Sequence, residues 1–257
     1  MWKDAFEDLH GLRVLITGAS SGIGAELGAA FAECGAIVAL HAASKLARVQ
    51  AQRDAIRSGG GNAHALQADL STHGAGSTLA QAAIAAMGGI DVLVNNAGAS
   101  LSRMAISDAD AEHSRRIMQL NQHSVVETIR AALPSMRAQR RGSIINTTSI
   151  AARNGGGFGV ALYASAKGAV EALTRALARE EGPNGIRINC VAPGYIDTPI
   201  HDTTSAEQLQ RYLDATPLGR AGLAQDCVGL YLLLASERLS GFITGQTFGV
   251  NGGMHLV

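Results

Sequence analysis

A tyrosine and a lysine four positions apart, Tyr163 and Lys167, stand in an alanine-rich stretch that runs to Glu181 and is stopped by Gly182-Pro183. In a helix that spacing puts both side chains on one face. A phenol titrates near ~10, too high for a good base at neutral pH, and a neighbouring ammonium favours its ionised form. Lys167 is therefore expected to lower the Tyr163 pKa and make it a proton-transfer group. Taken alone the same pair is common on solvated helices, so its neighbours decide. The preceding aliphatic run ends Asn146-Thr147-Thr148-Ser149. Ser149 thus falls at a strand's carboxyl end, where open α/β sheets place their ligands.

A second constellation lies near the start of the chain. An aliphatic run leads into Thr17-Gly18-Ala19-Ser20-Ser21-Gly22-Ile23-Gly24, followed by a helical pattern. Gly18 allows a tight turn, while Gly22 and Gly24 let backbone N–H groups approach a pyrophosphate at the positive end of the helix. Ser20 and Ser21 add hydroxyl donors. The spacing is GxxxGxG rather than GxGxxG, and glycines at such a turn also serve purely geometric needs. Further on, Leu40-His41-Ala42-Ala43-Ser44-Lys45 carries no acidic residue to hold ribose hydroxyls. Nothing there repels a 2′-phosphate, and Ser44, Lys45 and His41 are the side chains in reach of one, which favours NADP(H). The other reading has Ser44 capping the next helix and Lys45 solvated.

These groups need a scaffold, and the chain alternates short aliphatic runs with longer helical patterns, the signature of βαβ units. Strands are expected over 12–17, 37–41, 63–67, 90–94, 143–148, 187–192 and 247–250. The first four are nearly continuous apolar runs, as in a parallel sheet covered on both faces. Ile23, Leu27, Ala30, Phe31 and Cys34 recur at helical spacing, with Gly35 placed to end that helix in a left-handed cap. The fold class is a doubly wound α/β (Rossmann) domain with seven parallel strands. With no repeat or linker, residues 1–257 read as one domain, with a polar, proline-interrupted segment at 195–217 as a substrate lid.

Composition narrows the function classes. Hydrophobic residues make up 47% and charged residues 16% of 257, with 21 Lys plus Arg balancing 21 Asp plus Glu. That balance gives no basic surplus for nucleic acid or an anionic membrane, and no apolar run reaches membrane-spanning length. The first eight residues lack the basic and apolar regions of a secretion signal. Cys34, Cys190 and Cys227 are scattered without CxxC spacing and read as buried, reduced thiols of a cytoplasmic protein. The histidines show no metal-binding pattern. Asn146-Thr147-Thr148 is a formal glycosylation triplet in a strand expected to be buried, and is discounted.

In these residues the sequence resembles the short-chain dehydrogenase/reductase family across essentially its whole length. The motifs, in order, are Thr17-Gly18 through Gly22-Ile23-Gly24, Asn95-Asn96-Ala97-Gly98, Ser149 with Tyr163 and Lys167, and Pro193-Gly194. The resemblance implies a nicotinamide-dependent oxidoreductase acting on a small carbonyl or secondary alcohol. In it Ser149 holds the substrate oxygen, Tyr163 exchanges the proton, and Lys167 tunes the tyrosine and binds the nicotinamide ribose. Asn121, in Met118-Gln119-Leu120-Asn121, joins a water-linked proton relay. Cofactor contacts are implied for Gly18, Ser20, Ser21, Gly22, Ile23, Gly24, Ser44 and Lys45. Asp69 and Leu70 fall at the adenine, although Asp69-Leu70-Ser71 reads equally well as a loop and cap. Asn95, Ala97 and Gly98 lie toward the adenosine, Pro193, Gly194 and Ile196 beside the bound cofactor, and Thr198 at the carboxamide.

The substrate side departs from the family pattern. Gln122-His123-Ser124 is more polar than usual, and is read as solvated or as packing beside the cofactor. A glycine-rich rim, 151–158, contains Arg153, which either binds an anionic substrate or is an exposed rim charge. Ala151, Asn154, Tyr195 and His201 are the places to look for specificity. The segment from Gly241 to Gly253 resembles the part that packs between subunits, implying a homotetramer, or else a dimer. Two other activities share this fold: a regulatory dinucleotide binder without turnover, and a nicotinamide-dependent epimerase or dehydratase.

Overall fold

Uncharged aliphatic strands can be buried on both faces only if helices cover both. The structure, a computed structural model, describes residues 4–199 and 204–256. Its strands are β1 (Arg13–Ile16), β2 (Ile37–Ala42), β3 (Asn62–Gln67), β4 (Val92–Asn95), β5 (Gly142–Thr147), β6 (Ile186–Pro193), β7 (Ile196–Asp197), β8 (Gly222–Leu223) and β9 (Thr247–Val250). Seven form one parallel sheet in the order β3-β2-β1-β4-β5-β6-β9. The seven-stranded doubly wound sheet is as expected. Its order reverses between β1 and β4, which opens a crevice at the carboxyl ends of those strands.

The helices are α1 (Gly22–Glu33), α2 (Leu46–Ser58), α3 (Ala75–Met87), α4 (Ala111–Met118), α5 (Ser124–Gln139), α6 (Ala151–Asn154), α7 (Ala161–Glu181), α8 (Ala206–Asp214), α9 (Ala224–Ala235) and α10 (Glu237–Ser240). Because side chains alternate along a strand, β1 sends Val14 and Ile16 to one face and Leu15 to the other. Val14 and Ile16 pack with Leu27 and Phe31 of α1, Val49 of α2 and Leu232 of α9. Leu15 packs with Ala80 of α3, Ile129 of α5 and Val170 of α7. Helix α1 ends before Gly35, whose φ of +82° is the anticipated left-handed stop. All three cysteines are buried and free.

Two features differ from the sequence reading. The segment 195–217 is not irregular throughout: it holds β7, which pairs with β8, and α8, which opens on a capping box between Ser205 and Gln208. Two-residue strands carry no periodicity, so neither was visible. His201 lies outside the described residues.

A buried polar line crosses the carboxyl half of the sheet. Asn95, Asn146 and Cys190 are register partners on β4, β5 and β6, and so face one side together. Asn95 Nδ2 donates to Asn146 Oδ1 at 2.9 Å, and Asn146 Nδ2 donates to Thr174 Oγ1 of α7 at 2.9 Å. Thr128 of α5 donates to Asn95 Oδ1 at 2.7 Å, and Cys190 Sγ donates to Thr174 Oγ1 at 3.0 Å. Asn146 has no exposed surface, in keeping with the discounted glycosylation triplet. Each amide in this line has its partners, and removing one strands the next without solvent. Asn146→Ala is expected to cost roughly 2–4 kcal/mol, read as a lowered urea midpoint with an unchanged slope.

Candidate active site

The carboxyl end of β1 turns through Gly18, at φ +70°, into α1. A Cβ on Gly24 would meet Gly18 O at 2.3 Å, and one on Gly22 would meet Thr198 Cγ2 at 2.9 Å. Only glycine fits either place. Helix α1 has no side-chain cap and no acid in its first turn, so its leading N–H groups and positive dipole end remain for an anion. These features fit a dinucleotide pyrophosphate. Thr17 and Asn96 brace the turn: Thr17 Oγ1 accepts from the N–H groups of Asn96 and Ala97, both at 2.9 Å, and Asn96 Nδ2 donates to Thr17 O and Gly18 O.

Across the crevice, helix α7 brings Tyr163 and Lys167 against the end of β5. Lys167 is buried and donates to Thr147 O at 2.8 Å, with Nζ 5.8 Å from the centre of the Tyr163 ring. A Cβ on Gly98 would lie 2.8 Å from both Lys167 Nζ and Asn121 Oδ1, so these side chains converge on one point. Asn121 sits in a π-helical stretch, Gln119–His123, between α4 and α5. Its Nδ2 donates to Ala99 O and Ile117 O, and its Oδ1 accepts from Ala99 N–H. Ser149 Oγ accepts from Ala151 N–H at 3.1 Å, and Ser149 stands close enough to Tyr163 to act on its hydroxyl.

Burial pushes the Tyr163 hydroxyl above its ordinary value, and the Ser149 hydrogen bond pulls it back. The net direction is therefore upward, not the lowering expected from Lys167, and the downward pull is that of Ser149. Burial brings Lys167 itself down to about 8, so its positive charge is weakly held at the point where it was expected to act.

Whole-chain comparisons place the fold and sequence among known proteins. A family model described as enoyl-(acyl carrier protein) reductase matches residues 18–255. A short-chain type dehydrogenase/reductase of Sinorhizobium fredii, itself uncharacterized, is 37% identical over 96% of this chain and 98% of its own. The chain belongs to the short-chain dehydrogenase/reductase family. It is similar, at 35% identity over 94% of its length and 97% of the relative's, to a 3-oxoacyl-(acyl-carrier-protein) reductase of Staphylococcus aureus. Among solved structures, an NADH-dependent reductase A1-R′ responsible for alginate metabolism superposes with a TM-score of 0.90 at 35% identity, covering 98% of this chain and 100% of that one. A blue fluorescent protein from a metagenomic library, in complex with NADPH, gives 0.89 at 31%, covering 96% and 99%. The chain is therefore an oxidoreductase built for a nicotinamide cofactor and a small-molecule substrate. Among the described residues no helix is long and apolar enough to cross a membrane.

Within this family member, several anticipated positions turn out differently. His41 is buried and both ring nitrogens are engaged: Nδ1 accepts from Gly18 N–H at 3.1 Å, and Nε2 donates to Ala68 O at 2.9 Å. Burial lowers its pKa, so the neutral ring supports the glycine turn rather than facing a 2′-phosphate. Ser44 and Lys45 are exposed; Lys45 is the N-cap residue of α2 and no side chain caps that helix, so Ser44 does not act as a cap. The Asn95 side chain is enclosed in the polar line, leaving only its main chain toward a cofactor. Asp69 Oδ1 accepts from Ser71 N–H and Oγ, the loop-and-cap reading, while its side chain stays exposed. Leu70, Ile196 and Pro193 are buried. Pro193 O accepts from Ile150 N–H, and Gly194 leaves room for Asn251. Ser20, Ser21 and Ile23 are half-buried at the turn.

On the substrate side, Ala151 is buried and positions Ser149 through its N–H, and Asn154 Oδ1 accepts from Gly156 N–H. Arg153 is half-buried and pairs with Glu171 at 3.4 Å, so it is neither a free anion binder nor an exposed rim charge. Ser124 is buried, and its hydroxyl donates to Leu120 O at 2.7 Å, supporting the π-helical stretch rather than solvent. Tyr195 stacks on Tyr212 of α8 with ring centres 4.8 Å apart. Sequence reading puts His41 at a 2′-phosphate and Asn96 within a motif without a bracing role, and it passes over Tyr212, which carries no motif.

Two outcomes test this geometry. Gly24→Ala is expected to weaken NADPH binding at least about tenfold, because the turn must move, as read by fluorescence titration. Between about 8 and the ordinary 10.5 for Lys167, the unfolded chain holds more protons than the folded one. Stability should rise with pH across that window. The stability of the parent chain measured against Lys167→Met is therefore expected to increase from pH 8 upward.

Proposed function

We propose that this chain moves hydride between NADP(H) and a carbonyl or secondary alcohol, with Tyr163 exchanging the proton at the substrate oxygen. The observation that carries this reading is the meeting of Tyr163, Ser149 and Lys167 at the carboxyl end of β5, with Gly98 and Asn121 leading from them toward the glycine turn. The bound nicotinamide supplies or accepts the hydride. Charge then develops on the substrate oxygen, and stabilising it takes a positioned acid with hydrogen-bond donors. Tyr163, kept protonated at neutral pH by burial, delivers the proton, and Ser149 donates to the same oxygen. Lys167 holds the Thr147 carbonyl and reaches the nicotinamide ribose. Asn121, whose side chain is engaged with Ala99 and Ile117, joins the proton relay through its main chain.

NADP(H) is favoured because the end of β2 presents no carboxylate and two exposed residues, Ser44 and Lys45, with no partner fixed by capping. The solved relatives include one complexed with NAD and one with NADPH, so relatedness alone does not choose. We take the chain as one catalytic unit of a cytoplasmic homotetramer, supported by Phe242, which is fully exposed in the C-terminal segment expected between subunits.

Tyr163→Phe is expected to lower kcat by about 10²–10⁴-fold with NADPH affinity nearly unchanged; equal activity in that variant overturns the assignment. Lys45→Ala should reduce kcat/KM for NADPH about tenfold while sparing NADH. Both are read by steady-state kinetics over a mixed carbonyl and alcohol panel.

A further inference from the structure

Arg103 lies in the loop between β4 and α4, five residues beyond Gly98. Two backbone features fix that loop. Leu101 is held at φ +57°, a left-handed conformation that non-glycine residues seldom adopt, and Met104 N–H donates to Gly159 O at 3.0 Å. The second bond ties the loop to the rim that joins Ser149 to Tyr163. From there the guanidinium spans to two other segments. Nη1 faces Phe158 O of the rim at 3.4 Å, and Nη2 faces the Tyr212 hydroxyl of α8 at 3.5 Å. Tyr212 in turn stacks on Tyr195, one residue after Pro193-Gly194. The cation therefore stands where three segments meet, each leading from a different wall of the candidate active site.

The rim is shaped around this side chain. A Cβ on Gly157 would come within 3.4 Å of Arg103 Nη1, and one on Gly159, at φ +77°, would meet Met104 N at 2.8 Å and Arg103 Cβ at 3.0 Å. Gly159 is the clearance for the Arg103 backbone and Cβ, and Gly157 lies at ordinary contact distance from the guanidinium.

Its charge is not neutralised. Arg13, Arg137, Arg153, Arg187, Arg211 and Arg220 each pair with a carboxylate. Arg103 forms no ion pair among the described residues; its acceptors are a carbonyl and a phenol, both at the long limit of a hydrogen bond. A guanidinium offers five N–H donors in a planar fork that matches a carboxylate with two parallel bonds. Exposed arginines are ordinarily solvated. This one is anchored through its backbone, given space by Gly159, left without an ion pair among the described residues and set between the rim and α8. Arg153, the rim cation visible in sequence, is already held by Glu171.

We propose that Arg103 is a specificity residue that binds a carboxylate on the substrate, away from the reacting carbonyl, so that the substrates are oxo acids or the matching hydroxy acids. A single fork suits one singly charged group. The proposal rests on the oxidoreductase reading above and deepens it.

The test uses the intact enzyme with NADPH and a series of oxo acids and uronates, each run beside its methyl ester and, where available, a phosphate monoester of similar length. For the parent enzyme, kcat/KM for the best acid should exceed that of its ester at least about tenfold, and the preference should shrink as salt rises. Arg103→Leu should raise KM for the acid about 10- to 100-fold, with kcat and the ester's kcat/KM little changed, as for loss of a charged hydrogen bond. Arg103→Lys should restore part of the preference. Unchanged NADPH binding shows that the variants are folded. The proposal is overturned if the parent prefers esters, if it prefers phosphate monoesters, or if Arg103→Leu lowers acid and ester turnover alike. A parent enzyme silent on every carbonyl and alcohol, but still binding NADPH, instead sinks the oxidoreductase reading, and this proposal with it.

Discussion

The structure depends first on a line of buried hydrogen bonds, Thr128–Asn95–Asn146–Thr174–Cys190, that crosses β4, β5 and β6 and fixes α5 and α7 over them. Apolar packing alone would tolerate a shift of one strand past another by two residues, because the same face would still be apolar. A row of amides does not, since a shift leaves donors unmatched in a place without water. The line therefore sets the register of three strands. It also sets where their carboxyl ends stop, and so where Gly98, Ser149 and Pro193-Gly194 begin. Helix α7 is bound to it through Thr174, two turns beyond Lys167, which gives Lys167 a defined height against Thr147 O.

Desolvation then shapes the chemistry. Burial raises Tyr163 and lowers Lys167, moving both away from the charged state. A hydroxyl that stays protonated suits delivery of a proton to a developing alkoxide, and Ser149, beside it at the end of β5, moderates the shift. The glycine turn works by a different principle: its backbone N–H groups are kept free by the absence of side chains and caps, while neutral His41 and Asn96 hold it in shape from behind. With desolvated Tyr163 and Lys167 on one side and the preorganised dipoles of the turn on the other, the 99–104 loop, the glycine rim and α8 are the neighbouring segments.

Much of this was legible in the residues. Parallel strands buried on both faces are nearly continuous apolar runs, so all seven strands of the main sheet were visible, with ends displaced by one or two residues. The glycine turn was legible because local geometry leaves no room for a side chain at Gly22 or Gly24, and the common helix face of Tyr163 and Lys167 because of their spacing. Helix α7 was readable to its last residue, because Gly182-Pro183 stops it. The two-residue strands β7 and β8 gave no pattern, and α8 was hidden in a polar, proline-interrupted stretch whose organisation comes from a capping box and a tyrosine stack.

The sequence by itself determined the fold class, through the alternation of strand and helix patterns, and the place of the glycine turn and of Tyr163 and Lys167 on one helix, through local spacing. Only the tertiary structure decided which polar residues face the site and which are consumed in holding it. His41 and the Asn95 side chain proved to be supports, Arg153 an ion-paired rim residue, and Arg103 a rim-facing cation with no ion pair among the described residues. The reason is physical: a hydrogen bond or ion pair across 18 or more positions, such as Arg153 with Glu171, is fixed by packing, and a side chain's availability depends on partners that only folding brings near.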